Sequence, residues 1–345
     1  MQDLRLVQLL VGEPWGGAER FFVKLALAFQ RRGIAQRLYI LRDEARAAEL
    51  RQGGCDVVEL DFGKGWSDLA ARWKLRKDVR DFSPDVLMAW MSRAARRIPS
   101  GNFVKVARLG GYYPTRHYKR CDWLVANTPG ISDFLVEDGW PKDRVRMLTN
   151  FGELTPQQAV SRAELDTPEQ AFVFLVLGRL HPSKGFDLAI EALEKVSGAY
   201  LWIAGTGDEE SSLRRQAEAL GVSGRVRFLG WRDDQAALLQ SANVCLVPSR
   251  HEPLSNVVLE AWSLGVPVLS TAAEGPSWLI NDGVNGLLVP LDNVGKLAEA
   301  MQRLLSDRSL FQALALAGQQ EWEREYSEDV IVGRYLAFFR EISER

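Results

Sequence analysis

Residues 248–270 read Pro248-Ser-Arg-His-Glu-Pro-Leu-Ser-Asn-Val-Val-Leu-Glu-Ala-Trp-Ser-Leu-Gly-Val-Pro-Val-Leu-Ser270. Short apolar runs at Val244–Val247 and Val266–Leu269 predict buried strands, so the segment is interpreted as strand, loop, helix and strand. A helix that begins at the carboxyl edge of a parallel sheet points its free N–H groups at that edge and binds anions there. Glu260, about one turn into the helix, is placed to accept hydrogen bonds from ligand hydroxyls. A phosphate site and a diol site together indicate a nucleotide sugar.

The chain has 345 residues. Single cores rarely grow beyond about 250–300 residues, so two domains are predicted. Three scattered cysteines argue against a disulfide framework and a zinc site and favour a reducing cytoplasm; they are Cys55, Cys121 and Cys245. The N-terminus looks like a first strand rather than a leader. No apolar run reaches the length of about 18 residues that predicts a membrane span.

The two halves of the chain differ in charge. Residues 1–150 contain 26 Lys and Arg against 18 Asp and Glu, a net charge of +8, whereas the remainder carries −10. Residues 86–121 contain eight basic side chains and no acidic one. This asymmetry predicts that the N-terminal half meets an anionic partner, with a solvated basic face as the alternative. No motif of a nucleic-acid-binding protein accompanies the charge, so nucleic acid is not expected.

An anionic membrane surface or a phosphorylated lipid acceptor fits this half better. Trp66, Trp73, Trp90 and Met91 are interspersed among the cations, as in segments that bind at a membrane interface. We therefore expect peripheral attachment through basic helices at Asp68–Arg80 and Ser92–Arg97.

Short apolar runs alternate with amphipathic helical patterns in both halves, which predicts two doubly wound α/β domains. The first spans residues 1–152, and the polar stretch 153–170 is interpreted as a linker. The pattern resumes with Ala171-Phe-Val-Phe-Leu-Val-Leu-Gly178, apolar on both faces like a buried parallel strand. The second domain spans 171–327, and a helix at about 328–345 is a candidate to pack back on the first. Two such domains facing each other leave a cleft between their switch-point edges, where ligands bind.

A loop with a glycine at each end, Gly178-Arg-Leu-His-Pro-Ser-Lys-Gly185, follows the first predicted strand of the second domain. Glycine lets the backbone approach a ligand closely. Arg179 offers a bidentate fork and Lys184 a point charge, which suits the two phosphates of a diphosphate. The alternative is two surface cations beside a turn. The second anion site at the same sheet edge, where the helix begins near Ser255, favours the phosphate interpretation.

Three further segments are weaker candidates for the donor site. Gly205, in a glycine-rich turn after a predicted strand, permits close approach of a nucleotide but is also common in purely structural turns. Trp231, at another strand end, borders the base or simply packs. Gly16 and Gly17 bring backbone N–H groups to the donor from the facing domain, or form a tight turn with Glu19 in the first helical turn.

The segment Arg108-Leu-Gly-Gly-Tyr-Tyr-Pro-Thr-Arg-His-Tyr-Lys-Arg120 also follows a predicted strand and is rich in Gly, Tyr and cations. It is a candidate to line the cleft on the sugar or acceptor side. A lone histidine is more often structural than catalytic, so a direct role for His117 is the less favoured alternative. The candidates here are Gly110, Tyr112, Tyr113 and His117.

Together these segments resemble retaining glycosyltransferases of family 4, which have the GT-B fold. The resemblance covers nearly the whole chain and is strongest from Gly178 to Pro290. Glu252 and Glu260 match a Glu-x7-Glu signature, and the loop 178–185 matches a Gly-Arg…Lys-Gly motif. The stretch 16–20 matches a Gly-Gly loop. The sequence of residues 252–260, together with Gly110-Gly111-Tyr112-Tyr113, is most similar to lipopolysaccharide-core sugar transferases of Gram-negative bacteria.

The resemblance implies roles for individual residues. Arg179, Lys184 and Glu252 would be the catalytic residues, and Arg179 and Lys184 would hold the diphosphate. Glu252 would bind hydroxyls of the donor sugar, and Glu260 the ribose. The backbone of four consecutive residues would contact sugar and phosphate: Leu254, Ser255, Asn256 and Val257.

Two departures from the family pattern stand out. Many members have Gly-Phe-Gly where this chain has Pro253-Leu254-Ser255. Many also have a histidine that contacts the donor sugar where this chain has Gly110-Gly111. The role of that histidine is therefore vacant or has moved to Tyr112, Tyr113 or His117, which bears on the identity of the sugar more than on the reaction class.

The leading hypothesis is a retaining glycosyltransferase that moves a hexose of mannose or glucose type from a UDP- or GDP-sugar to a lipopolysaccharide-core or other lipid-linked glycan. No Asp-x-Asp sequence offers a site for a divalent ion, so no metal and no cofactor is expected, and cations with a helix dipole take the charge of the leaving diphosphate. We expect a cytoplasmic enzyme, peripheral on the inner membrane, of undetermined oligomeric state. The alternative is a catalytically silent nucleotide-sugar or glycan-binding subunit. A nicotinamide-dependent dehydrogenase ranks low because Gly12-x-x-x-Gly16-Gly17 has the wrong spacing.

Overall fold

A computed structural model describes residues 4–12, 16–62 and 66–344. The chain forms two compact units: residues 1–150 with 328–345 make the first, and residues 151–327 make the second. Each unit has its own parallel sheet with helices, which confirms the prediction of two doubly wound α/β domains. The stretch 13–15, which belongs to the predicted Gly-Gly loop region, lies outside the described residues.

Among the described residues, the sheet of the first unit has seven strands in the order β3-β2-β1-β4-β5-β6-β7. The strands are β1 (Arg5–Leu10), β2 (Ala35–Leu41), β3 (Asp56–Leu60), β4 (Val86–Trp90), β5 (Val104–Leu109), β6 (Trp123–Ala126) and β7 (Val145–Met147). The helices between them are α1 (Gly17–Arg31), α2 (Glu44–Gln52), α3 (Trp66–Phe82), α4 (Met91–Ala95) and α5 (Pro129–Glu137). The helix predicted at Ser92–Arg97 corresponds to the short helix α4, which has five residues and ends at Ala95.

The sheet of the second unit, within the same described part of the chain, has six strands in the order β10-β9-β8-β11-β12-β13. The strands are β8 (Phe172–Leu177), β9 (Ala199–Ala204), β10 (Val226–Gly230), β11 (Val244–Val247), β12 (Val268–Thr271) and β13 (Leu287–Val289). The helices are α6 (Phe186–Glu194), α7 (Glu210–Ala219), α8 (Gln235–Ser241), α9 (Asn256–Ser263), α10 (Glu274–Leu279), α11 (Val294–Ser306) and α12 (Arg308–Glu321).

Helices cover both faces of the second sheet. Strand β8 shows this directly, because alternate residues point to opposite faces of a strand. Phe174 and Val176 belong to one hydrophobic cluster, and Val173 and Leu175 belong to another. A strand buried on both faces is apolar throughout, which is why its sequence shows no alternation.

The last helix, α13 (Glu328–Ser343), returns to the first unit. Its aromatic side chains pack into that unit: the rings of Phe29 and Phe339 lie 6.1 Å apart, and those of Trp123 and Phe338 lie 5.5 Å apart. The Tyr335 hydroxyl donates to the carbonyl of Leu148 at 3.3 Å. The aromatic stripe of α13 therefore completes a hydrophobic core formed by residues far earlier in the chain, such as Phe29 and Trp123.

The stretch 153–170, predicted to be a linker, is instead packed into the second unit. The guanidinium of Arg162 donates to the carbonyls of Ser241 and Ala171 at 3.0 and 2.6 Å. The indole N–H of Trp202 donates to the Thr167 hydroxyl at 2.9 Å. These hydrogen bonds attach the stretch to β9 and to the end of α8. Its polar composition reflects backbone hydrogen bonding rather than a free connection.

Candidate functional site

In the second sheet the strand order reverses between β8 and β11. From β8 the chain proceeds to β9 on one side, and from β11 it proceeds to β12 on the other. The loops that follow the two neighbouring strands therefore diverge and leave a crevice at the carboxyl edge, where open α/β sheets bind their ligands. These loops are residues 178–185 and 248–255, the two segments for which the sequence predicts anion binding.

The two loops contact each other through their backbones. Gly185 has φ of +65°, and a Cβ atom on it would lie 2.0 Å from the carbonyl oxygen of Pro248. The N–H of Arg250 donates to the carbonyl of Ser183 at 2.8 Å. Glycine is therefore required at position 185 both by the left-handed backbone and by the close approach of the second loop.

This contact brings two of the predicted catalytic side chains together. The Lys184 ammonium donates to Oε2 of Glu252, and the buried Ser249 hydroxyl donates to the same oxygen at 3.2 Å. Both charged side chains are largely covered, with relative exposures of 29% for Lys184 and 14% for Glu252. The pair is thus a partly desolvated ion pair at the crevice, where charge interactions are stronger than in water.

Glu274, which the sequence did not predict as a site residue, holds the loop 248–255 in place at Glu252. Its Oε2 accepts from the N–H of Glu252 at 3.2 Å, and its Oε1 lies 2.8 Å from Nδ1 of His251. The N–H of Gly275 donates to the carbonyl of Glu252 at 2.7 Å. Burial raises the pKa of Glu274, but backbone N–H donors and His251 outweigh burial, so the pKa is lower than usual. Glu274 is therefore an ionised anchor for the loop.

Arg250 is a second positioning residue that sequence reasoning missed. Its guanidinium binds both carboxylate oxygens of Asp187, at 2.8 and 2.7 Å, and Oδ1 of Asp292 at 2.6 Å. The hydrogen bond to Asp187 is the largest cause of a raised pKa of Arg250. The fork therefore ties the loop after β11 to the first turn of α6. The sequence gives no signal for this role beyond an arginine near Glu252, because the partners Asp187 and Asp292 are 63 and 42 residues away.

Helix α9 begins at the crevice without a side-chain cap. Ser255 occupies the N-cap position, is 1% exposed, and its hydroxyl has no hydrogen-bond partner. The first turn contains no acidic residue. Leu254 is buried, and Asn256 and Val257 are partly buried. The N–H groups at this helix start are therefore not satisfied by an N-cap side chain, as an anion site requires.

Glu260 lies in the second turn of α9 and is partly buried. Burial raises the pKa of the Cys245 thiol, and the charge of Glu260 adds to this effect. Glu260 is thus close to strand β11, on the helix whose start is the predicted anion site. This is the position for which the sequence predicts a contact with ligand hydroxyls.

Gly178 is explained by its positive φ, and Gly205 by its positive φ together with backbone packing. They have φ of +144° and +150°, and a Cβ atom on Gly205 would lie 1.8 Å from the carbonyl oxygen of Gly178. The turn after β9 therefore rests directly on the loop that carries Lys184. The glycine at 205 is required by that contact, whether or not a nucleotide approaches it.

Arg179 and Trp231 lie at the carboxyl ends of their strands but outside the contacts between the two loops. Arg179 is exposed and has no ion pair or hydrogen bond with a residue that the structure describes. Trp231 follows β10, the edge strand, and is 62% exposed. Their predicted roles in donor binding stay predictions.

In the first unit, the Glu19 side chain lies against Gly12 and Gly16 of the predicted glycine loop. A Cβ atom on Gly12 or Gly16 would lie 2.4 or 2.3 Å from the carboxylate of Glu19. Gly16 precedes α1 with an extended backbone, and Gly17 is the first helical residue. Glu19 is thus in the first turn of α1, with its carboxylate beside Gly16. The predicted contacts of Gly16 and Gly17 with the donor stay predictions.

The aromatic segment after β5 forms a partly exposed surface on the first unit. The Tyr112 ring packs edge-on against Phe134 at 5.5 Å, while the Tyr113 ring lies against Gly111. Tyr112 and Tyr113 are 40% and 37% exposed. His117 Nδ1 lies 2.6 Å from Nη2 of Arg96, and desolvation, Arg96 and Arg116 lower the pKa of His117. The lowered pKa favours a neutral imidazole, bound to Arg96.

Among the residues that the structure describes, no three His, Cys, Asp or Glu side chains are grouped so that they could hold a metal ion. No described helix combines the length and the apolar character needed to cross a bilayer.

Comparison with known proteins identifies the class of protein. Residues 171–307 match the family model described as "Glycosyl transferases group 1", and residues 15–152 match "Glycosyltransferase Family 4". A protein named lipopolysaccharide core biosynthesis glycosyltransferase LpsE, from Rhizobium meliloti (strain 1021), is 40% identical over 331 residues, covering 93% of this chain and 95% of that protein.

Solved structures agree on the fold. A glycosyltransferase from Rickettsia africae ESF-5 has a TM-score of 0.85 at 16% identity and covers 99% of both chains. Anabaena Alr3699/HepE in complex with UDP and glucose has a TM-score of 0.82 at 20% identity, covering 98% of this chain and 100% of that one.

The protein is therefore a glycosyltransferase. The chain belongs to the family that the group 1 and family 4 models describe, and its two Rossmann-like units are those of the GT-B fold.

The contact between Gly185 and Pro248 predicts the effect of a single methyl group. Gly185→Ala combines a left-handed backbone with a clash against a carbonyl, and should lower the free energy of unfolding by about 3 kcal/mol or more. Gly198→Ala is the matched control: its φ is +77°, but nothing lies within 4 Å of the added Cβ. It should cost only about 1–2 kcal/mol. Urea unfolding of both variants measures the difference, and equal costs would contradict the close contact of the loops.

Proposed function

We propose that this glycosyltransferase is a retaining, metal-independent hexosyltransferase. Its donor is a UDP- or GDP-sugar of mannose or glucose type, and its acceptor is a lipopolysaccharide-core or other lipid-linked glycan. The observation that carries the proposal is the joining of the Lys184 loop and the Glu252 loop at the strand-order reversal of the second sheet, beside the uncapped start of α9. The LpsE relative, whose name places it in lipopolysaccharide core biosynthesis, supports the acceptor class.

The proposed reaction breaks the bond between the sugar C1 and the diphosphate oxygen, which leaves with the bonding electrons. The acceptor hydroxyl forms the new bond to C1 on the face that the diphosphate leaves, and its proton passes to the departing phosphate. No protein nucleophile is needed. The protein instead stabilises the charge that develops on the leaving group, which is usually the largest catalytic contribution.

The described residues divide this work as follows. The α9 N–H groups and Arg179 bind phosphate, while Lys184 moves between Glu252 and the leaving group. Glu252 keeps Lys184 oriented before the donor arrives and binds hydroxyls of the sugar. Glu260 binds the ribose. Leu254, Ser255, Asn256 and Val257 present their backbone to sugar and phosphate, and Gly178 and Gly205 let the chain come close.

A catalytically silent nucleotide-sugar or glycan-binding subunit is the second candidate. The observation that favours it is the pair Gly110-Gly111, which leaves the first unit without a histidine at the end of β5. Turnover of a nucleotide sugar by the purified protein with extracted lipid-linked glycan separates the two functions.

The donor class is tested by thermal unfolding with UDP, GDP and ADP sugars. A ligand at 100 times its Kd adds about 2.7 kcal/mol to the free energy of unfolding. We expect a UDP- or GDP-sugar to raise the melting temperature and an ADP-sugar to have less effect. Protection by none of these nucleotide sugars would overturn the proposed donor. The same measurement with EDTA checks metal independence, since chelation should leave the shift unchanged.

Replacement of Lys184 tests the catalytic assignment. Loss of one charge-assisted hydrogen bond costs about 1.5–3 kcal/mol, so Lys184→Ala should slow turnover roughly ten- to a hundredfold. Lys195→Ala, which removes an exposed lysine after α6 in the same unit, should leave the rate unchanged. Initial-rate kinetics measure both. A Lys184→Ala enzyme with wild-type kinetics would remove this residue from the site.

The proposed membrane attachment is supported by the surface around α3. Trp66, Leu69 and Trp73 are 88%, 58% and 67% exposed on this helix. A groove of about 780 Å³ beside it is lined in part by Trp73, Arg76 and Lys77. Exposed tryptophans among cations suit the interface of an anionic bilayer. We propose that this face holds the enzyme peripherally on the cytoplasmic side of the inner membrane.

Vesicle sedimentation tests the attachment. Each basic residue near an anionic surface contributes about 1 kcal/mol, so Arg76→Ala with Lys77→Ala should weaken binding to phosphatidylglycerol-containing vesicles about thirtyfold. Arg214→Ala with Arg215→Ala, an adjacent exposed pair on α7, is the control and should bind like the wild type. Equal binding of both double variants, or no binding of the wild type at low salt, would refute attachment through α3.

A further inference from the structure

The described part of the first unit contains a buried cation that has no carboxylate partner there. Arg108 is the penultimate residue of β5 and has a relative exposure of 0%. Among the residues that the structure describes, no carboxylate forms an ion pair with it. Buried charges in proteins are normally paired, because transfer of an unpaired ion out of water is costly. An unpaired guanidinium at the end of a strand is therefore a feature to be explained by function.

The groups around Arg108 are neutral. Its guanidinium lies over the rings of Phe21 and Trp90, at 5.0 and 4.9 Å from the centroids, and donates to Oδ1 of Asn150. Its Nε atom has no hydrogen-bond partner. The Tyr335 hydroxyl also contacts the guanidinium: burial raises the pKa of Tyr335, and the charge and the hydrogen bond of Arg108 oppose that rise. Ring faces, a phenol oxygen and an amide oxygen stabilise the cation in part but do not neutralise it. The side chain therefore keeps a net positive charge inside the unit.

This charge lies next to a position that has no side chain. A Cβ atom on Gly110 would be 3.3 Å from Nη1 of Arg108, 3.8 Å from Nδ2 of Asn127 and 3.9 Å from Cβ of Ala18. Gly110 is partly exposed and immediately follows β5 at the carboxyl edge of the sheet. The glycine thus separates the guanidinium from the surface by backbone alone.

Two further polar atoms near the ends of the neighbouring strands have no partner. They are Oδ1 of Asn127, which follows β6, and the hydroxyl of Thr149, which follows β7. Both side chains are at least nine-tenths buried. The start of α1, where Ala18 lies, adds the positive end of a helix dipole, while the carboxylate of Glu19 in that turn lies against Gly12 and Gly16. Buried polar atoms without partners require an explanation, and a bound ligand that completes the hydrogen bonding is one.

We propose that Arg108 is the fixed counter-charge for an oxyanion, a carboxylate or phosphate group on the acceptor sugar, that binds against Gly110-Gly111 at the carboxyl edge of the first sheet. The proposal rests on the proposed transfer to a glycan. Because no water reaches the guanidinium, its charge is poorly screened and acts through Gly110 on an anion at the surface. Arg108 is thus a positioning residue for an acidic acceptor.

The acceptor is favoured over the donor as the source of the oxyanion. The anion site at the start of α9 and Lys184 belong to the second unit, whereas Arg108 belongs to the first. The first 150 residues also carry the positive excess of the chain, +8 against −10 for the remainder. An anionic acceptor is attracted to the half of the sequence that contains Arg108.

The first experiment uses simple probes on the full-length protein. Glucuronate and inorganic phosphate should raise the melting temperature, whereas glucose, or sodium chloride at equal ionic strength, should not. Arg108→Met removes the charge but keeps an apolar side chain, and should weaken glucuronate binding about tenfold or more, or about 1.4 kcal/mol. Arg108→Lys should restore part of the binding. The control Arg37→Met removes an arginine of the same sheet that is already paired with Asp56 and should bind the probe normally.

The second experiment uses extracted lipid-linked glycan. Arg108→Met should raise the acceptor KM about tenfold or more and leave the donor KM unchanged. Gly110→Ala, which keeps the charge and places a methyl group 3.3 Å from Nη1, should raise the same KM. Kinetics of Arg108→Met with UDP-glucuronate and with UDP-glucose show whether the oxyanion belongs to the donor or to the acceptor. A defect that occurs only with the acidic donor UDP-glucuronate would overturn the assignment to the acceptor.

The outcomes also separate this inference from the proposed function. A wild-type protein that binds no nucleotide sugar and transfers nothing refutes the proposed function, while protection by glucuronate that depends on Arg108 would still support the oxyanion site. The inference would be overturned if the wild-type enzyme transfers sugar normally and the Arg108→Met variant keeps its acceptor KM and its glucuronate response. A lower melting temperature of that variant would then show that Arg108 is a structural residue.

Discussion

The architecture of the site depends on one backbone contact, that of Gly185 with the carbonyl of Pro248. Strand order reverses between β8 and β11, so the loops after these strands diverge unless something holds them together. A side chain at position 185 would keep them apart. Because it is absent, Lys184 reaches Glu252 and the start of α9 lies beside them. Arg250 and Glu274 then fix the second loop from two sides, through Asp187 and through the backbone of Glu252.

The electrostatics of this site depend on the ion pair between Lys184 and Glu252. Lys184 and Glu252 neutralise each other, so the ligand-free crevice does not hold an isolated buried ion. The hydroxyl of Ser249 supports the glutamate, and the uncapped N–H groups of α9 supply positive potential without a titrating group. A diphosphate that enters would compete with Glu252 for Lys184. The same carboxylate would then be free to accept hydrogen bonds from sugar hydroxyls, which links the release of Lys184 to the binding of the sugar.

The sequence predicts the parts of this structure that depend on local pattern. Apolar runs alternating with amphipathic helices are sufficient for two doubly wound units, and the apolar runs at Val244–Val247 and Val266–Leu269 are sufficient for a loop and a helix between two strands. The sequence does not separate two physical causes that act at one position. Gly205 and Gly16 have the composition of ligand loops, and the structure adds a packing reason for each, since the first contacts the carbonyl of Gly178 and the second the carboxylate of Glu19. The packing of residues 153–170 also could not be predicted. It depends on a hydrogen bond from Arg162 to the carbonyl of Ser241, 79 residues away, and no local sequence pattern indicates that bond.

The two units deal with positive charge in opposite ways. In the second unit the partly covered cation Lys184 has an acidic partner, so a ligand that binds Lys184 would have to displace Glu252. In the first unit Arg108 lies between Phe21 and Trp90 and has no acidic partner among the described residues, so its charge is permanent. A permanent charge is costly to bury, and aromatic faces recover only part of that cost. The cost is best offset by a ligand that brings its own negative charge. An acidic acceptor would meet this condition, and the excess of basic residues in the same half of the sequence would draw it there.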